Sequence, residues 1–277
     1  MTATRLIERL QALYPEASRR SLKQWLNGSR VRVNGAVIVR GDVAIAPADR
    51  VELASPTAPG CPAPLRLVHE DDDILVVDKP SGLLTIATES ERERTAYRLL
   101  RDWVASRGAR SSRLFIVHRL DRETSGLIVF AKSVAAKQHL QAQFAARTVE
   151  RVYVALAEGV MRRDAGSLIS RLVEDRALRV RIAERGGGHE AITRYRVLER
   201  RRAATLLELH LVTGRRAQIR VQLAAAGHPI AGDAQYGGRT DPMRRLALHA
   251  TRLAFLHPGG GRVSFESPPP PPFGRRA

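Results

Sequence analysis

Residues 114–131 read LFIVHRLDRETSGLIVFA, two short apolar runs rich in β-branched residues on either side of a charged loop. Runs of this kind, bounded by polar turns, are the pattern of buried strands. The loop between them sets Asp121 among Arg119, Arg122, Glu123, Thr124 and Ser125. Nearby guanidinium charge favours the ionised form of a carboxylate. An ionised carboxylate at a strand-to-strand loop can act as nucleophile or base. Taken alone, the loop reads equally well as an ordinary Asp–Arg turn.

Working outward, similar runs recur at 74–77 and 152–156, and residues 191–199 and 204–212 form a strand pair around the polar turn 200–203. Ser133 stands where an N-cap would start a helix to about Arg147, with Leu140 and Phe144 turned inward. Thr213-Gly214 precede a helix over 215–226, closed by Gly227. Strands outnumber helices and do not alternate regularly with them. The expected fold class is therefore α+β, with a mixed, largely antiparallel sheet.

Upstream lies a boundary. Residues 54–64, ASPTAPGCPAP, have linker composition. They separate a small segment, 1–53, from a large one, 65–273, leaving 274–277 as a tail. The proline run of SPPPPPFGRRA, 267–277, forms neither helix nor interior strand and reads as extended chain. In the small segment, Leu6, Ile7, Leu10 and Leu13 have helical spacing before Pro15. Ser18 can cap a second helix with Leu22, Trp25 and Leu26 on its apolar face and Arg19, Arg20 and Lys23 as a basic stripe. Val31–Val33, the turn Asn34-Gly35 and 36–39 read as a hairpin carrying Arg32, and Val51–Leu53 adds a strand. The segment reads as a small α+β module.

The 277 residues carry 46 Lys and Arg against 28 Asp and Glu, a net charge of +18. Such an excess points to an anionic polymer, nucleic acid before a membrane surface. Because 42 of the 46 bases are Arg, an arginine-rich proteome accounts for the excess as well. No apolar run approaches the ~20 residues of a membrane span. No basic helix has the bulky aromatic face of a membrane-surface binder. The single cysteine, Cys61, allows neither an internal disulfide nor a thiolate cluster, which makes a reducing cytoplasm the default. There is no G-x-x-x-x-G-K-[ST] loop, no G-x-S-x-G elbow and no H-E-x-x-H pair. Nucleotide-driven, serine-hydrolase and metal mechanisms therefore have no support, and neither a metal nor a cofactor is expected.

HRLDRETSGLIVFAK, residues 118–132, resembles the signature of the RluA-type pseudouridine synthases, which isomerise uridine in rRNA or tRNA. In order along the chain, DDDILVVDKPSGLL (71–84), ERVYVAL (150–156), LVTGRRAQIRVQLAAAGHPIAGDAQYG (211–237) and LALHATRLAFLHP (246–258) resemble its other motifs. Residues 3–53 resemble an S4-like RNA-binding domain, a common accessory in that family. One departure is Ala217, where the family usually has His.

The resemblance implies roles. Asp121 matches the catalytic aspartate, on a covalent or a glycal route. Tyr153 matches the tyrosine that stacks on the target base and takes part in proton transfer at C5. Arg220 matches the basic residue that pairs with Asp121; at i, i+4 from Arg216 it also reads as a solvated helix stripe. Arg119 matches the arginine that fills the gap left by a flipped nucleotide. Arg19, Arg20, Lys23, Arg32 and Arg216 are expected RNA contacts. His118 is expected to be structural, and Lys79-Pro80 to shape the rim of the site. Large-subunit rRNA is the favoured substrate, with tRNA or a non-catalytic ribosome-assembly role as alternatives, and a monomer is implied.

Overall fold

The computed structural model describes residues 4–15, 17–27, 31–38, 40–53, 61–89, 91–107, 113–175, 179–184, 186–271 and 273. The chain divides into two compact units, Met1–Gly60 and Cys61–Ala277. Most of the expected linker (54–60), Val39 of the expected hairpin, and the expected tail, 274–277, lie outside the described residues.

The first unit contains β1 (Thr4–Arg5), α1 (Leu6–Leu13), α2 (Arg19–Asn27), β2 (Val31–Val33), β3 (Ala36–Val37), β4 (Ala44–Ile45) and β5 (Val51–Leu53). Ser18 caps α2, its Oγ accepting from the Ser21 N–H at 3.2 Å. Asn34 (φ 51°) and Gly35 (φ 85°) give the β2–β3 turn the two left-handed residues that a tight hairpin needs. Leu6 and Leu10 of α1 meet Leu22 and Leu26 of α2 over Val31, Val33 and Ile45.

The second unit runs β6 (Arg66–Glu70), β7 (Ile74–Lys79), α3 (Ala96–Ser106), β8 (Phe115–Ile116), β9 (Ser125–Ala131), α4 (Val134–Ala145), β10 (Glu150–Glu158), β11 (Ala165–Glu174), β12 (Val180–Ile182), β13 (His189–Arg200), β14 (Ala204–Leu211), α5 (Gln218–Ala225), β15 (Leu248–Leu256) and β16 (Arg262–Glu266). Its sheet has the order β12-β11-β13-β14-β10-β15-β9-β7-β6, with β16 on β15 and β8 on β9. Among these pairings only β15–β9 is parallel.

The sequence explains the middle of this sheet. Alternate residues of β7 and β9 serve two cores. Leu75, Val77, Ile128 and Phe130 pack with Leu100 and Trp103 of α3. Ile74, Val76, Leu127 and Val129 pack with Ala136 and Leu140 of α4. A strand covered on both faces reads as a continuous apolar run instead of an alternation. Where β9 meets β15, Gly126 has φ +113°, and a Cβ there would lie 2.2 Å from the Ala250 carbonyl oxygen. Only glycine lets these two strands approach so closely.

Two expectations change. The helix expected over 215–226 starts at Gln218. Ala217, at φ 49°, breaks it, and the Gln218 side chain accepts from Thr213 Oγ1 (2.7 Å) and the Arg215 N–H (3.0 Å) in place of a first turn. The proline stretch is not all free chain either: Phe273 is 1% exposed and joins the main core.

Candidate active site

The loop between β8 and β9 carries Asp121, and the turn after β7 clamps it. Thr85 Oγ1 donates to the Leu120 carbonyl (2.8 Å) and accepts from the Leu120 N–H (3.1 Å). The Gly82 N–H donates to the Arg122 carbonyl at 2.8 Å, and Ser81 Oγ donates to that of Glu123 at 2.5 Å. Lys79 is fully buried, and its ammonium donates to the carbonyls of Pro80 (2.9 Å), Leu83 (2.7 Å) and Arg122 (3.2 Å). Its three donors are thus spent on backbone, a turn role rather than a phosphate contact. Burial pulls Lys79 down to about 7, against the attraction of Asp121 and Glu123.

Above the loop lies a cleft of about 250 Å³ lined by Asp121, Arg119, Tyr153 and Arg220, among others. Tyr153 projects from β10, where the pairing with β15 slips between Val152 and Tyr153. Burial pushes its phenol up to about 12, so the hydroxyl stays protonated at neutral pH.

Arg220 comes from α5, which is buried along Gln218–Leu223. Gln218 and Gln222 pin that helix by hydrogen bonds to Thr193 at 2.9 and 2.6 Å. The solvated stripe therefore does not exist; Arg216 precedes the helix and pairs with Glu174 at 2.5 Å.

The expected Arg220–Asp121 pair is present only as the weaker of two contacts. The guanidinium forks onto Asp233, Nε to Oδ2 and Nη2 to Oδ1, both at 2.8 Å. Its Nη1 stands 3.7 Å from Asp121 Oδ2 and 3.7 Å from Glu123 Oε2. Glu123 thus faces the same cation as Asp121. The Tyr236 ring lies 4.9 Å from the guanidinium carbon. Burial opposes the charge on Arg220, but Asp233 outweighs it and raises the group above its ordinary value.

Burial also acts on Asp121. It pushes the carboxyl above its ordinary range, with Arg220 and then Arg119 pulling it back. This is the reverse of the net direction expected from the neighbouring arginines. The side chain keeps 21% exposure, so its oxygens remain open to the cleft.

His118 accepts from the Val129 N–H through Nε2 at 3.2 Å and stacks on Phe144 at 4.7 Å. Burial, with the Arg151 charge adding to it, drives His118 down to about 3. Asp233 and Arg151 are site residues to which the sequence reading assigned no role.

Arg119 is exposed at the cleft rim. In the first unit Arg19, Lys23 and Arg32 are exposed, and Lys23 borders a hollow with Arg5 and Arg40. Arg20 lies on α2, its side chain outside the described residues.

Residues 73–225 match the family described as RNA pseudouridylate synthase. The ribosomal large subunit pseudouridine synthase D of Haemophilus ducreyi is 34% identical over 97% of this chain and 88% of its own length. The protein of that name from Pseudomonas aeruginosa is 38% identical over 94% of this chain and 87% of its own. Among solved structures, human RNA pseudouridylate synthase domain containing 1 aligns with a TM-score of 0.62 at 28% identity, covering 74% of this chain and 83% of that one.

Proposed function

This chain belongs to the RNA pseudouridylate synthase family, and from that premise we propose that it isomerises specific uridines of large-subunit ribosomal RNA to pseudouridine. The relatives' names support the substrate. The observation that carries the chemistry is the cleft that brings Asp121, Tyr153 and Arg220 together.

In this reading the uridine flips out of its strand and its uracil lies against Tyr153. Arg119, at the rim, fills the space it leaves, since a planar guanidinium stacks where a base did. Asp121 acts at the sugar while the C1′–N1 bond breaks. The uracil turns, C5 bonds to C1′, C5 loses its proton and N1 gains one. The bound RNA closes the mouth of the cleft and keeps water from trapping the broken bond. Arg220, fixed by Asp233, holds positive charge near the Asp121 carboxylate. The first unit acts as an S4-like foothold, with Arg19, Arg20, Lys23 and Arg32 on the RNA backbone, and the large unit adds Arg216. Backbone contacts of this kind make binding salt-sensitive. We place the enzyme in the cytoplasm as a monomer.

Pseudouridine mapping of cellular RNA with and without the gene tests the substrate. Loss of sites in large-subunit rRNA is expected; loss confined to tRNA would move the substrate, and unchanged maps would sink the activity. Asp121→Asn is expected to abolish isomerisation while RNA affinity stays within about threefold; substantial turnover would refute the role of Asp121.

A further inference from the structure

Arg151 stands two residues before Tyr153 on β10, and both line the cleft. Its surroundings are unusual for a cation. Its Nε is shut off from solvent and has no hydrogen-bond partner. Nη2 reaches the Leu211 carbonyl only at 3.5 Å. One face of the guanidinium is covered by Phe144, whose ring centre is 5.5 Å away. Among the described residues no carboxylate forms an ion pair with it. The cleft's other inner cation, Arg220, is neutralised by Asp233.

The fold makes room for this arginine. A Cβ on Gly214 would lie 2.2 Å from Arg151 Nη1, so that position admits only glycine without moving the guanidinium. His118, which stacks on the same Phe144 ring, is held neutral by burial and adds no second charge. A half-buried cation without a carboxylate partner is costly and calls for an anion from outside the protein.

Two anions are available in the proposed complex. One is an RNA phosphate, solvated and on the outside of the strand, where exposed basic side chains meet it. The other is the uracil itself. When C1′–N1 breaks, its electron pair leaves with the base, and the negative charge spreads over N1, O2 and O4. This holds on either the covalent or the glycal route. The charge lasts until C5 bonds to C1′, the C5 proton leaves and N1 takes up a proton. A partly desolvated guanidinium without a carboxylate partner, beside the tyrosine that stacks on the base, is suited to this second anion.

We propose that Arg151 is a catalytic residue that donates to a carbonyl oxygen of the detached uracil and stabilises its negative charge. The assignment rests on the pseudouridine synthase reading above. Donors aimed at charge that develops only along the reaction act on the rate and leave ground-state binding largely alone.

The test uses the full chain and an unmodified transcript of large-subunit rRNA, with single-turnover rates at saturating enzyme and affinity measured in parallel. Arg151→Met is expected to slow isomerisation by about 10²–10³-fold, the loss seen when one such donor is removed, with affinity within about threefold. Arg151→Lys, which keeps a charge without the fork, is expected to recover about tenfold of that loss. Gly214→Ala, which displaces the guanidinium without removing it, is expected to lower the rate in the same way and carries the test should Arg151→Met fail to fold. A rate within about threefold of wild type in Arg151→Met, or in Gly214→Ala where that variant carries the test, would overturn the assignment. So would lost affinity with a salt slope lower by about one and an intact saturating rate, the mark of a phosphate contact. A wild-type chain that isomerises no uridine would overturn the reading beneath it as well.

Discussion

Replacing Asp233 with Asn should destabilise the fold and slow the reaction together. The Asp233 side chain is fully buried, and Arg220 is 7% exposed. Two hydrogen bonds at 2.8 Å join them. Removing one partner of such a pair leaves the other charge buried without compensation, at about 3–5 kcal/mol. Asn keeps one accepting oxygen but turns an amide NH₂ toward the guanidinium, which places the expected loss near the lower figure, about 3 kcal/mol. For a unit of this size that is a Tm lower by roughly 6–12 °C. Activity should fall further than stability explains. Asp233 is what holds Arg220 Nη1 at 3.7 Å from Asp121, and a displacement of about 1 Å in such a site can cost about 100-fold in rate.

Urea unfolding and calorimetry give the stability loss, and single-turnover rates are taken where every variant is folded. A double-mutant cycle with Arg220→Met isolates the pair. Each single substitution strands a buried charge and the double strands neither, so the double should lose at least about 2 kcal/mol less than the sum. A loss below about 1 kcal/mol in Asp233→Asn, or additive losses in the cycle, would refute the reasoning. Arg220 would then be held by Tyr236 and by Gln235, whose Oε1 accepts from Nη2 at 3.2 Å, instead.

Thr85→Val keeps the shape of the side chain but leaves both backbone groups of Leu120 without their partner, one residue from Asp121; a loss of about 2–5 kcal/mol by urea unfolding is expected. His118 has a folded-state value of about 3 against an ordinary 6.5. Between these values the unfolded chain takes up a proton that the folded chain refuses, so stability is intact above pH 6.5 and falls as pH drops through that window. From 6.5 to about 5 the loss is about 2 kcal/mol; His118→Gln, which keeps an acceptor for Val129, should flatten that slope in urea titrations. The isomerisation rate should fall on the acid side with an apparent value above the ordinary 3.8 of aspartate, because burial raises Asp121. Arg119→Gln should move this limb further up, since it removes a charge that pulls the other way.

Local signals in the chain were legible where neighbours in sequence decide the structure. The Ser133 cap forms, accepting from the Ala136 N–H, and so does the Asn34-Gly35 turn. Of the two apolar runs around Asp121, the second is a strand buried on both faces and the first forms only the two-residue, half-buried β8. A cap on Thr95 and the apolar face of Ala96–Ser106 were also present to be read, as was the alternation in β11. The partner of Arg220 was not legible: Asp233 lies 13 residues away, past the end of α5. Arg151 became a site residue only when Phe144 and Gly214 closed around it, contacts that no local pattern announces. The start of α5 turns on one residue, Ala217, whose left-handed backbone alanine does not advertise.

Asp233 also explains why the arginines around Asp121 fail to lower it. Three carboxylates, Asp233, Asp121 and Glu123, face one guanidinium. Asp233 takes both strong hydrogen bonds, so the attraction left for Asp121 is that of a cation already neutralised. Burial then wins, and Asp121 becomes more basic than a free aspartate. A carboxylate clamped by the fork would have been a weaker base and a poorer nucleophile, because a hydrogen-bonded ion must first give up its donors. The cleft thus separates two tasks that the expected Asp121–Arg220 pair would have merged. Asp233 keeps the arginine in place, and Asp121 is left free for the reaction proposed above.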